Sequence, residues 1–324
     1  MTKHQIFVTR KIPRAGLELL EKKCNVEVFS GERGIPPDLL KSKINNIDGL
    51  LCLLSDTIDR EIIDSAPNLK VISNYAVGYN NIDVNYATSK GIVVTNTPGV
   101  LTDATADLSW ALLMAVTRRI VEGDQMMCAS QFYGWGPMLL MGQDLKEKTL
   151  GIVGAGRIGT AVAERSRGWN MRILYYSRTT NLHMENKLSA RKVTLKELIS
   201  ESDFVSLHVP LIPETRHIID ETALRRMKSS AYLINTSRGP VVDEKALVRA
   251  LKEGWISGAA LDVYEKEPLL EPGLAELKNV VLAPHIGSAT IETRNEMARI
   301  AAKNMLAVLD GESPQFPVNP EVLK

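Results

Sequence analysis

A glycine-rich turn in the middle of the chain, between a short apolar run and a helical pattern, constrains the fold more than any other feature. The run 150–153 ends in Gly154-Ala-Gly156-Arg-Ile-Gly159, and the helical pattern continues to about residue 167. In such a turn the first glycine permits a tight bend, the second lets a pyrophosphate approach the backbone, and the third lets the helix pack on the strand. The start of such a helix attracts phosphate. The pattern alone also fits a purely structural turn.

Short β-prone runs alternate with helical patterns along the whole chain, which indicates parallel α/β sheets. Before the glycine turn, the sequence predicts strands at 6–9, 26–29, 50–54, 71–74 and 92–95 and helices at 13–23 and 37–45. From the turn onward it predicts six strands, at 150–153, 172–176, 204–208, 232–235, 259–263 and 280–283. Six such strands make a complete dinucleotide-binding sheet. Thr194 and Glu197 are spaced as a capping box for one of the intervening helices.

The mid-chain position of the glycine turn predicts that one domain is inserted into another. At 324 residues the chain exceeds the usual size of a single-core domain. We expect a helix at 102–123 to lead into a Rossmann-like domain at 101–286, and a helix at 290–309, ending near Gly311, to lead back. The predicted fold class is therefore α/β with two doubly wound parallel-sheet domains. The discontinuous one, flavodoxin-like, comprises 1–100 and 287–324.

Composition argues against several classes of function. A net charge of +1 and a pI near 7.7 give no reason to expect nucleic acid or an anionic membrane as a partner. The three cysteines are scattered, so neither a disulfide framework nor a metal site is expected. The first strand begins almost at the N-terminus, and the longest apolar run, 110–116, is shorter than the ~20 residues of a membrane helix. We therefore expect a cytoplasmic protein.

Three polar side chains follow predicted strands of the second sheet. Arg238, Glu267 and His285 each have an ordinary explanation taken singly, as a solvated charge, a surface turn and a structural histidine. All three fall at the carboxyl ends of strands, however, where doubly wound sheets bind their ligands. Their common position indicates one site.

The chain resembles the D-2-hydroxyacid dehydrogenase family over nearly its whole length. The resemblance is carried by the segment 202–220, by the segment 74–83 and by Asn96-Thr-Pro-Gly, in the order in which the family has them. Within the family the chain is most similar to glyoxylate/hydroxypyruvate reductases. The resemblance implies hydride transfer from a nicotinamide cofactor to glyoxylate or hydroxypyruvate, which gives glycolate or D-glycerate.

The resemblance also implies that Arg238, Glu267 and His285 are the catalytic residues. A histidine can give or take a proton near neutrality, which suits the donor to the carbonyl oxygen. A carboxylate at Glu267 would orient the imidazole and favour its charged form. The planar donor fork of Arg238 would bind the carboxylate and polarise the carbonyl.

Further contacts follow from the same resemblance. Leu53, Val77 and Gly78 are expected to bind the substrate, with the amides of the latter two receiving its carboxylate. His208 is expected near the cofactor, and His4, His183 and His217 away from any site. The expected cofactor contacts are Thr105, Gly154, Gly156, Arg157, Ile158, Gly159, Ser177, Arg178, Thr179, His208, Val209, Pro210, Thr215, Asn235, Thr236, Ser237, Asp262, His285 and Gly287.

The end of the second strand of the cofactor domain predicts a preference for NADPH, with NADH as a second possibility. NAD enzymes of this fold place an acid there, about 20 residues beyond the glycines, for the ribose hydroxyls. In this chain the position is Ser177, followed by Arg178, Thr179 and Thr180. A carboxylate would repel a 2′-phosphate, whereas an arginine pairs with it and hydroxyls donate to it.

The aromatic and apolar segment 131–142 predicts a homodimer, because the resembling reductases embrace their partner with this region. Trp135 is expected to reach a substrate site, its own or the partner's, or else to pack within its own chain. Two alternatives remain for the whole protein. It could be another D-2-hydroxyacid dehydrogenase, of the D-lactate or phosphoglycerate type, or a nucleotide-sensing binding protein similar to corepressors of the same fold.

Overall fold

A computed structural model describes residues 3–323 of the chain. It divides into two compact units, one that comprises the residues up to Leu101 and those from Ser288 onward, and one that comprises Thr102–Gly287. Each unit contains its own parallel sheet. The predicted fold class, two doubly wound parallel-sheet domains with one inserted into the other, is confirmed.

The strands are β1 (Gln5–Val8), β2 (Asn25–Val28), β3 (Gly49–Cys52), β4 (Val71–Asn74), β5 (Val93–Thr95), β6 (Thr149–Val153), β7 (Arg172–Tyr176), β8 (Arg191–Lys192), β9 (Phe204–Leu207), β10 (Tyr232–Asn235), β11 (Gly258–Leu261) and β12 (Val280–Leu282). The helices are α1 (Arg14–Lys23), α2 (Pro37–Lys43), α3 (Arg60–Asp64), α4 (Val84–Ser89), α5 (Thr102–Thr117), α6 (Ile120–Cys128), α7 (Arg157–Arg165), α8 (Leu182–Leu188), α9 (Leu195–Glu201), α10 (Glu221–Arg226), α11 (Glu244–Lys252) and α12 (Ile291–Leu309). Among the described residues, none of these helices is long and apolar enough to cross a membrane.

The sheet of the first unit has the strand order β2-β1-β3-β4-β5, with all neighbours parallel. This is the flavodoxin-like order. Successive residues of a strand face opposite sides, so Ile6 and Val8 belong to one apolar core and Phe7 to the other. Helix α12 packs on the first of these faces. The segment after Ser288 therefore covers one face of the first sheet.

The sheet of the second unit has seven strands in the order β12-β11-β10-β9-β6-β7-β8, all parallel. β6, which precedes the glycine turn, is an inner strand beside β9, and the chain crosses from one part of the sheet to the other after β8. The carboxyl ends of β6 and β9 thus flank the point where the strand order reverses, which is where open α/β sheets bind their ligands.

The structure corrects two expectations about elements. The sheet has seven strands, not six, because the short strand β8 has only two exposed charged residues and leaves no apolar run in the sequence. The helix predicted at 102–123 ends at Thr117, and a separate helix begins at Ile120. The backbone of Arg119 is left-handed, with φ +53°. The Thr117 carbonyl oxygen accepts from the Gln143 N–H at 3.1 Å, a tertiary hydrogen bond that the helical pattern cannot reveal.

Candidate active site

The glycine turn between β6 and α7 combines tight packing with one open position. Gly154 has φ +101°, and a Cβ on Gly159 would lie 2.1 Å from the Gly154 carbonyl oxygen. At Gly156, by contrast, an added Cβ would meet no atom within 4 Å. Gly156 is exposed and directly precedes α7, whose first turn contains Arg157 and Ile158. The turn therefore leaves an open approach to the N–H groups of a helix N-terminus, which fits a pyrophosphate.

The loop after β7 has the composition expected of a phosphate-binding loop. Ser177 is half-buried, and Arg178 and Thr179 are exposed. The loop contains no acid between Ser177 and Thr180. Its polar groups are hydroxyls and one guanidinium, which donate to an anion and do not repel it.

Asn181, which the sequence analysis did not single out, connects this loop to the glycine turn. Its Nδ2 donates to the Ala155 carbonyl oxygen at 3.0 Å and to Thr160 Oγ1 at 2.8 Å. Its Oδ1 accepts from the Met184 N–H at 3.0 Å and so caps α8. An asparagine before a helix signals a cap in the sequence, but its contact with a distant glycine turn depends on the tertiary fold.

The loop after β9 is held by internal hydrogen bonds. His208 Nε2 lies 2.8 Å from Ser206 Oγ, and burial lowers the pKa of His208 to about 3. This imidazole is therefore neutral and structural. Val209 is half-buried and Pro210 exposed, and the Pro210 carbonyl oxygen accepts from Thr215 Oγ1 at 2.6 Å.

Asn235, the last residue of β10, fixes the backbone that carries Arg238. Its Nδ2 donates to the Arg238 carbonyl oxygen at 3.0 Å, and its Oδ1 accepts from the N–H and the Oγ of Ser237. The neighbouring Thr236 Oγ1 shares a hydrogen bond of 2.8 Å with Ser109 Oγ of α5. The loop after β10 is therefore immobilised by its own strand end and by the helix beneath it.

Two of the three expected catalytic side chains are in direct contact. His285 Nδ1 lies 2.8 Å from Glu267 Oε2, and Glu267 Oε1 accepts from the Tyr264 N–H at 3.0 Å. Burial raises the pKa of Glu267, but the hydrogen bond and charge of His285, together with the Tyr264 N–H and the Arg238 charge, outweigh it and lower the pKa below the ordinary value. The carboxylate is therefore ionised and oriented, and it leaves Nε2 of the histidine as the ring nitrogen available to a substrate.

Arg238 belongs to the same electrostatic environment. Burial lowers the pKa of its guanidinium, and the charge of Glu267 opposes that effect. One guanidinium nitrogen, Nη1, donates to the Ser237 carbonyl oxygen at 2.7 Å. The structure thus places a cation, a carboxylate and an imidazole within one part of the second unit.

The backbone of His285 is held in the left-handed region, at φ +54°. For a residue other than glycine this costs about 1–2 kcal/mol and requires support from the surroundings. The support comes from buried Asp262, whose two carboxylate oxygens accept from the N–H groups of Ile286 (2.7 Å) and Gly287 (2.8 Å). Thr105 Oγ1 donates to the Gly287 carbonyl oxygen at 3.2 Å. Asp262 therefore anchors the loop that carries the histidine.

His217, which was expected away from any site, contacts the loop that carries Glu267. Its Nε2 is 2.8 Å from Glu265 Oε1, and Glu265 is only two residues from Glu267. The Glu265 N–H donates to Oε1 of Glu244, the first residue of α11, at 2.8 Å. Burial raises the pKa of Glu244 to about 7. The loop after β11 is thus supported by a histidine and a buried carboxyl group.

The expected substrate-binding residues Leu53, Val77 and Gly78 lie in the first unit. An asparagine side chain holds the carbonyl oxygen of each: Asn81 donates to Leu53 (3.1 Å), Asn96 to Val77 (2.7 Å) and Asn74 to Gly78 (2.8 Å). The N–H groups of Val77 and Gly78 donate to no acceptor within residues 3–323. Two adjacent backbone donors in a fixed loop can accept the oxygens of a carboxylate.

Trp135 does not pack within its own chain. Its side chain is 85% exposed, and the nearby Tyr133, Met138 and Met141 are exposed as well. Monomeric proteins seldom expose so many large apolar side chains in one segment.

Comparison with known proteins places this arrangement in a family. Residues 110–287 match the model of the D-isomer specific 2-hydroxyacid dehydrogenase NAD-binding domain. The chain is 52% identical to a glyoxylate reductase from Thermococcus litoralis over 99% of its own length and 98% of the relative. It is 53% identical to a glyoxylate reductase from Thermofilum pendens, over 100% of this chain and 97% of the relative.

Solved structures show the same similarity. The chain matches a protein from Thermus thermophilus with a TM-score of 0.91 and 46% identity, which covers 97% of this chain and 99% of the other. It also matches an NADPH-dependent glyoxylate/hydroxypyruvate reductase from Sinorhizobium meliloti, crystallised with NADP and malonate, with a TM-score of 0.88 and 31% identity. That match covers 98% of this chain and 97% of the other.

Proposed function

The chain belongs to the D-isomer specific 2-hydroxyacid dehydrogenase family, and we propose that it reduces glyoxylate to glycolate and hydroxypyruvate to D-glycerate, with NADPH preferred over NADH. The observation that carries the proposal is the contact between His285 and Glu267 beside Arg238, in a unit whose glycine turn leaves a helix N-terminus open. Relatives named glyoxylate reductase over the full chain length support the choice of substrate.

The proposed chemistry adds a hydride and a proton to a ketone or aldehyde carbonyl. The nicotinamide cofactor, when bound, supplies the hydride to C2. His285 gives its Nε2 proton to the carbonyl oxygen, so that the product is an alcohol and the ring is left neutral. Glu267 stabilises the charged ring before transfer, and Arg238 binds the carboxylate and polarises the carbonyl.

The preference for NADPH is supported by the loop after β7. Ser177 stands where an acid would bind the ribose hydroxyls of NADH, and Arg178 follows it. A hydrogen bond to a charged group contributes roughly 1.5–3 kcal/mol, which is tenfold or more in affinity. The same loop offers NADH its hydroxyls but no carboxylate.

We propose that the substrates are small 2-oxo acids. The N–H groups of Val77 and Gly78, which donate to no acceptor within residues 3–323, are the proposed donors to a carboxylate oxygen. Leu53 is proposed to limit the length of the side chain that is accepted. One methylene group changes binding by only ~1–3 kcal/mol. Pyruvate should therefore be a poorer substrate, and an aromatic 2-oxo acid a much poorer one.

Initial rates with a panel of acids test the proposal. kcat/KM should be measured for glyoxylate, hydroxypyruvate, pyruvate and phenylpyruvate, each with NADPH and with NADH. We expect glyoxylate and hydroxypyruvate with NADPH to give the highest values. If pyruvate or phenylpyruvate is best, the substrate assignment is wrong. If no 2-oxo acid is reduced while nucleotide still binds, the protein is a nucleotide-sensing binding protein and not an enzyme.

We further propose that the protein is a homodimer that covers the exposed segment 131–142. The side chains of Tyr133, Trp135 and Met138 are 96%, 85% and 72% exposed in the single chain. Burial of such groups stabilises association. Light scattering at micromolar concentration should give twice the mass of the 35.8 kDa chain. Trp135→Ser with Tyr133→Ser should weaken the dimer, and a monomeric parent protein would contradict the proposal.

A further inference from the structure

Two cations without an acidic partner lie at the loop after β7. The Nζ of Lys192 is 3.4 Å from the Arg178 carbonyl oxygen and 3.5 Å from Thr180 Oγ1. Within the part of the chain that the structure describes, neither the Arg178 guanidinium nor the Lys192 ammonium group forms an ion pair with a carboxylate. Both side chains belong to exposed residues.

Their neighbours at the same edge of the sheet are neutralised. Arg191, which precedes Lys192 in β8, pairs with Glu197 at 2.8 Å and with Glu201 at 3.6 Å. Arg172, at the other end of β7, also pairs with Glu201. Glu197 and Glu201 therefore pair with Arg191 and Arg172, which leaves an excess of positive charge at Arg178 and Lys192 beside the loop. Such a local excess attracts anions.

Strand register explains how Lys192 reaches the loop. β8 pairs with β7 so that Lys192 is opposite Tyr175, two residues before Ser177. A lysine side chain is long enough to extend beyond the end of its short strand to the loop at the carboxyl end of the neighbouring one. The Asn181 hydrogen bonds to the glycine turn hold that loop in place.

We propose that Lys192 is a second cationic determinant of cofactor selectivity, whose ammonium group binds the 2′-phosphate of NADPH together with Arg178. This inference rests on the proposed preference for NADPH. It extends the phosphate site to a strand that lies outside the glycine motif and the loop after β7. Lys192 is a point charge that contacts the phosphate from the β8 side, whereas Arg178 offers a planar fork.

Binding of adenosine fragments tests the inference apart from catalysis. Calorimetric titration should compare adenosine 2′,5′-bisphosphate with adenosine 5′-monophosphate, which lacks the 2′-phosphate. Lys192→Gln should weaken binding of the bisphosphate roughly threefold to tenfold and leave that of the monophosphate unchanged. Lys192→Arg should retain most of the affinity. Arg191→Gln is the matched control, because it removes a neighbouring cation that already has acidic partners, and it should leave both affinities unchanged.

The outcomes separate the inference from the proposed function. If the parent protein binds the two fragments equally, the preference for NADPH itself fails, and the role of Lys192 fails with it. If the parent prefers the bisphosphate and Lys192→Gln keeps that preference in full, only the inference is overturned. Equal losses in Lys192→Gln and Arg191→Gln would also overturn it, because the effect would then be one of general charge.

Discussion

His285 combines a strained backbone with a side chain that is fixed from one side. Its φ of +54° is maintained by the hydrogen bonds that the N–H groups of the next two residues donate to Asp262. Its Nδ1 is held by Glu267. The arrangement restricts both the position of the ring and the nitrogen that faces outward. In its proposed role as proton donor, a ring that is held in this way needs no reorganisation when the substrate binds.

We expect His285→Ala to lower kcat for glyoxylate reduction by about 10²–10⁴, the usual effect of losing a general acid. Steady-state rates with NADPH, together with the affinity for NADPH, check this. Glu267→Gln is a useful comparison, since it keeps a hydrogen-bond acceptor but removes the charge that favours the protonated ring. We expect kcat for reduction to fall in Glu267→Gln as well. A His285→Ala enzyme with nearly normal kcat would contradict the assignment.

The lowered pKa of Glu267 sets the acidic pH below which the ion pair between His285 and Glu267 is lost. Because the folded-state pKa lies below the ordinary 4.5, the carboxylate stays ionised there, and its contribution to stability is lost only as pH falls through the folded value. We therefore expect protonation of Glu267 to affect the reduction rate only below pH 4.5, as a pH–rate profile between 3.5 and 6 would show. Loss of activity at pH 6 that is absent from Glu267→Gln would be inconsistent with this.

Arg238 is predicted to act through its shape as well as its charge. Arg238→Lys keeps a cation but cannot donate two parallel hydrogen bonds to a carboxylate. We expect kcat/KM for glyoxylate to fall roughly 10- to 100-fold, from the loss of about one charge-assisted hydrogen bond. Arg249→Lys, an exposed change on α11 in the same unit, serves as the control. Normal efficiency in Arg238→Lys would exclude the bidentate role.

At the scale of elements, polar residues at or just beyond the ends of strands fix the loops of the second unit, and Asp262, which follows β11, fixes the loop after the neighbouring strand β12. Asn235 holds the loop that carries Arg238, Asp262 holds the one that carries His285, and His208 bonds back to Ser206 of β9. Asn235 and Asp262 thus bond to loop backbone, whereas His208 bonds to a side chain of its own strand.

Because Asp262 holds the loop that carries His285, we predict that it acts by positioning His285. In Asp262→Asn an amide NH₂ would face either the Ile286 or the Gly287 N–H, so one of the two bonds is lost and the His285 loop shifts. We expect kcat to fall roughly 10- to 100-fold, as for a small misplacement of a catalytic group, while the Kd for NADPH changes less than twofold. Asp243→Asn, at the cap of α11, makes the same chemical change where asparagine is tolerated. A large rise in the Kd for NADPH with unchanged kcat would make Asp262 a cofactor ligand instead.

The sequence predicts elements well where apolar periodicity is strong and poorly where tertiary contacts decide. The strands at 71–74, 172–176 and 232–235 have the predicted bounds, because each contains a short buried run of β-prone apolar residues. β8 and the helix end at Thr117 were not predictable from local pattern. Arg238, Glu267 and His285 could be identified as candidates from their positions after strands. The contacts of Asn181 and Lys192 join segments that are distant in sequence, and no local pattern reveals them.

At the scale of the whole molecule, the first unit is assembled from both ends of the chain. Ser73 Oγ of β4 donates to the Ala301 carbonyl oxygen of α12 across 228 residues of sequence. Buried Asn319 accepts from the Val94 N–H and donates to the Ile92 carbonyl oxygen. The second unit forms its contacts within one continuous segment. Because closure of long loops is entropically unfavourable, the second unit is expected to fold first.

The buried carboxyl group of Glu244 makes the stability of that unit depend on pH. Burial raises its pKa from the ordinary 4.5 to about 7, and the side chain is 2% exposed. Between these two pH values the folded protein holds a proton that the unfolded chain has released. The free energy of unfolding therefore falls as pH rises from 4.5 to 7. Above pH 7 the whole loss of stability from ionising the buried Glu244 is present, on the order of 3 kcal/mol.

Glu244→Gln should remove this dependence, because the amide oxygen still accepts from the Glu265 N–H and no charge is buried. We expect the variant to unfold at higher urea concentration than the parent at pH 8 and at nearly the same concentration at pH 4.5. Urea denaturation at pH 4.5, 6 and 8 measures the difference, with exposed Glu276→Gln as the matched control. A variant that is less stable than the parent at pH 8 would mean that the ionised carboxylate stabilises the loop through Glu265. A difference that does not change with pH would mean that Glu244 does not titrate in this range.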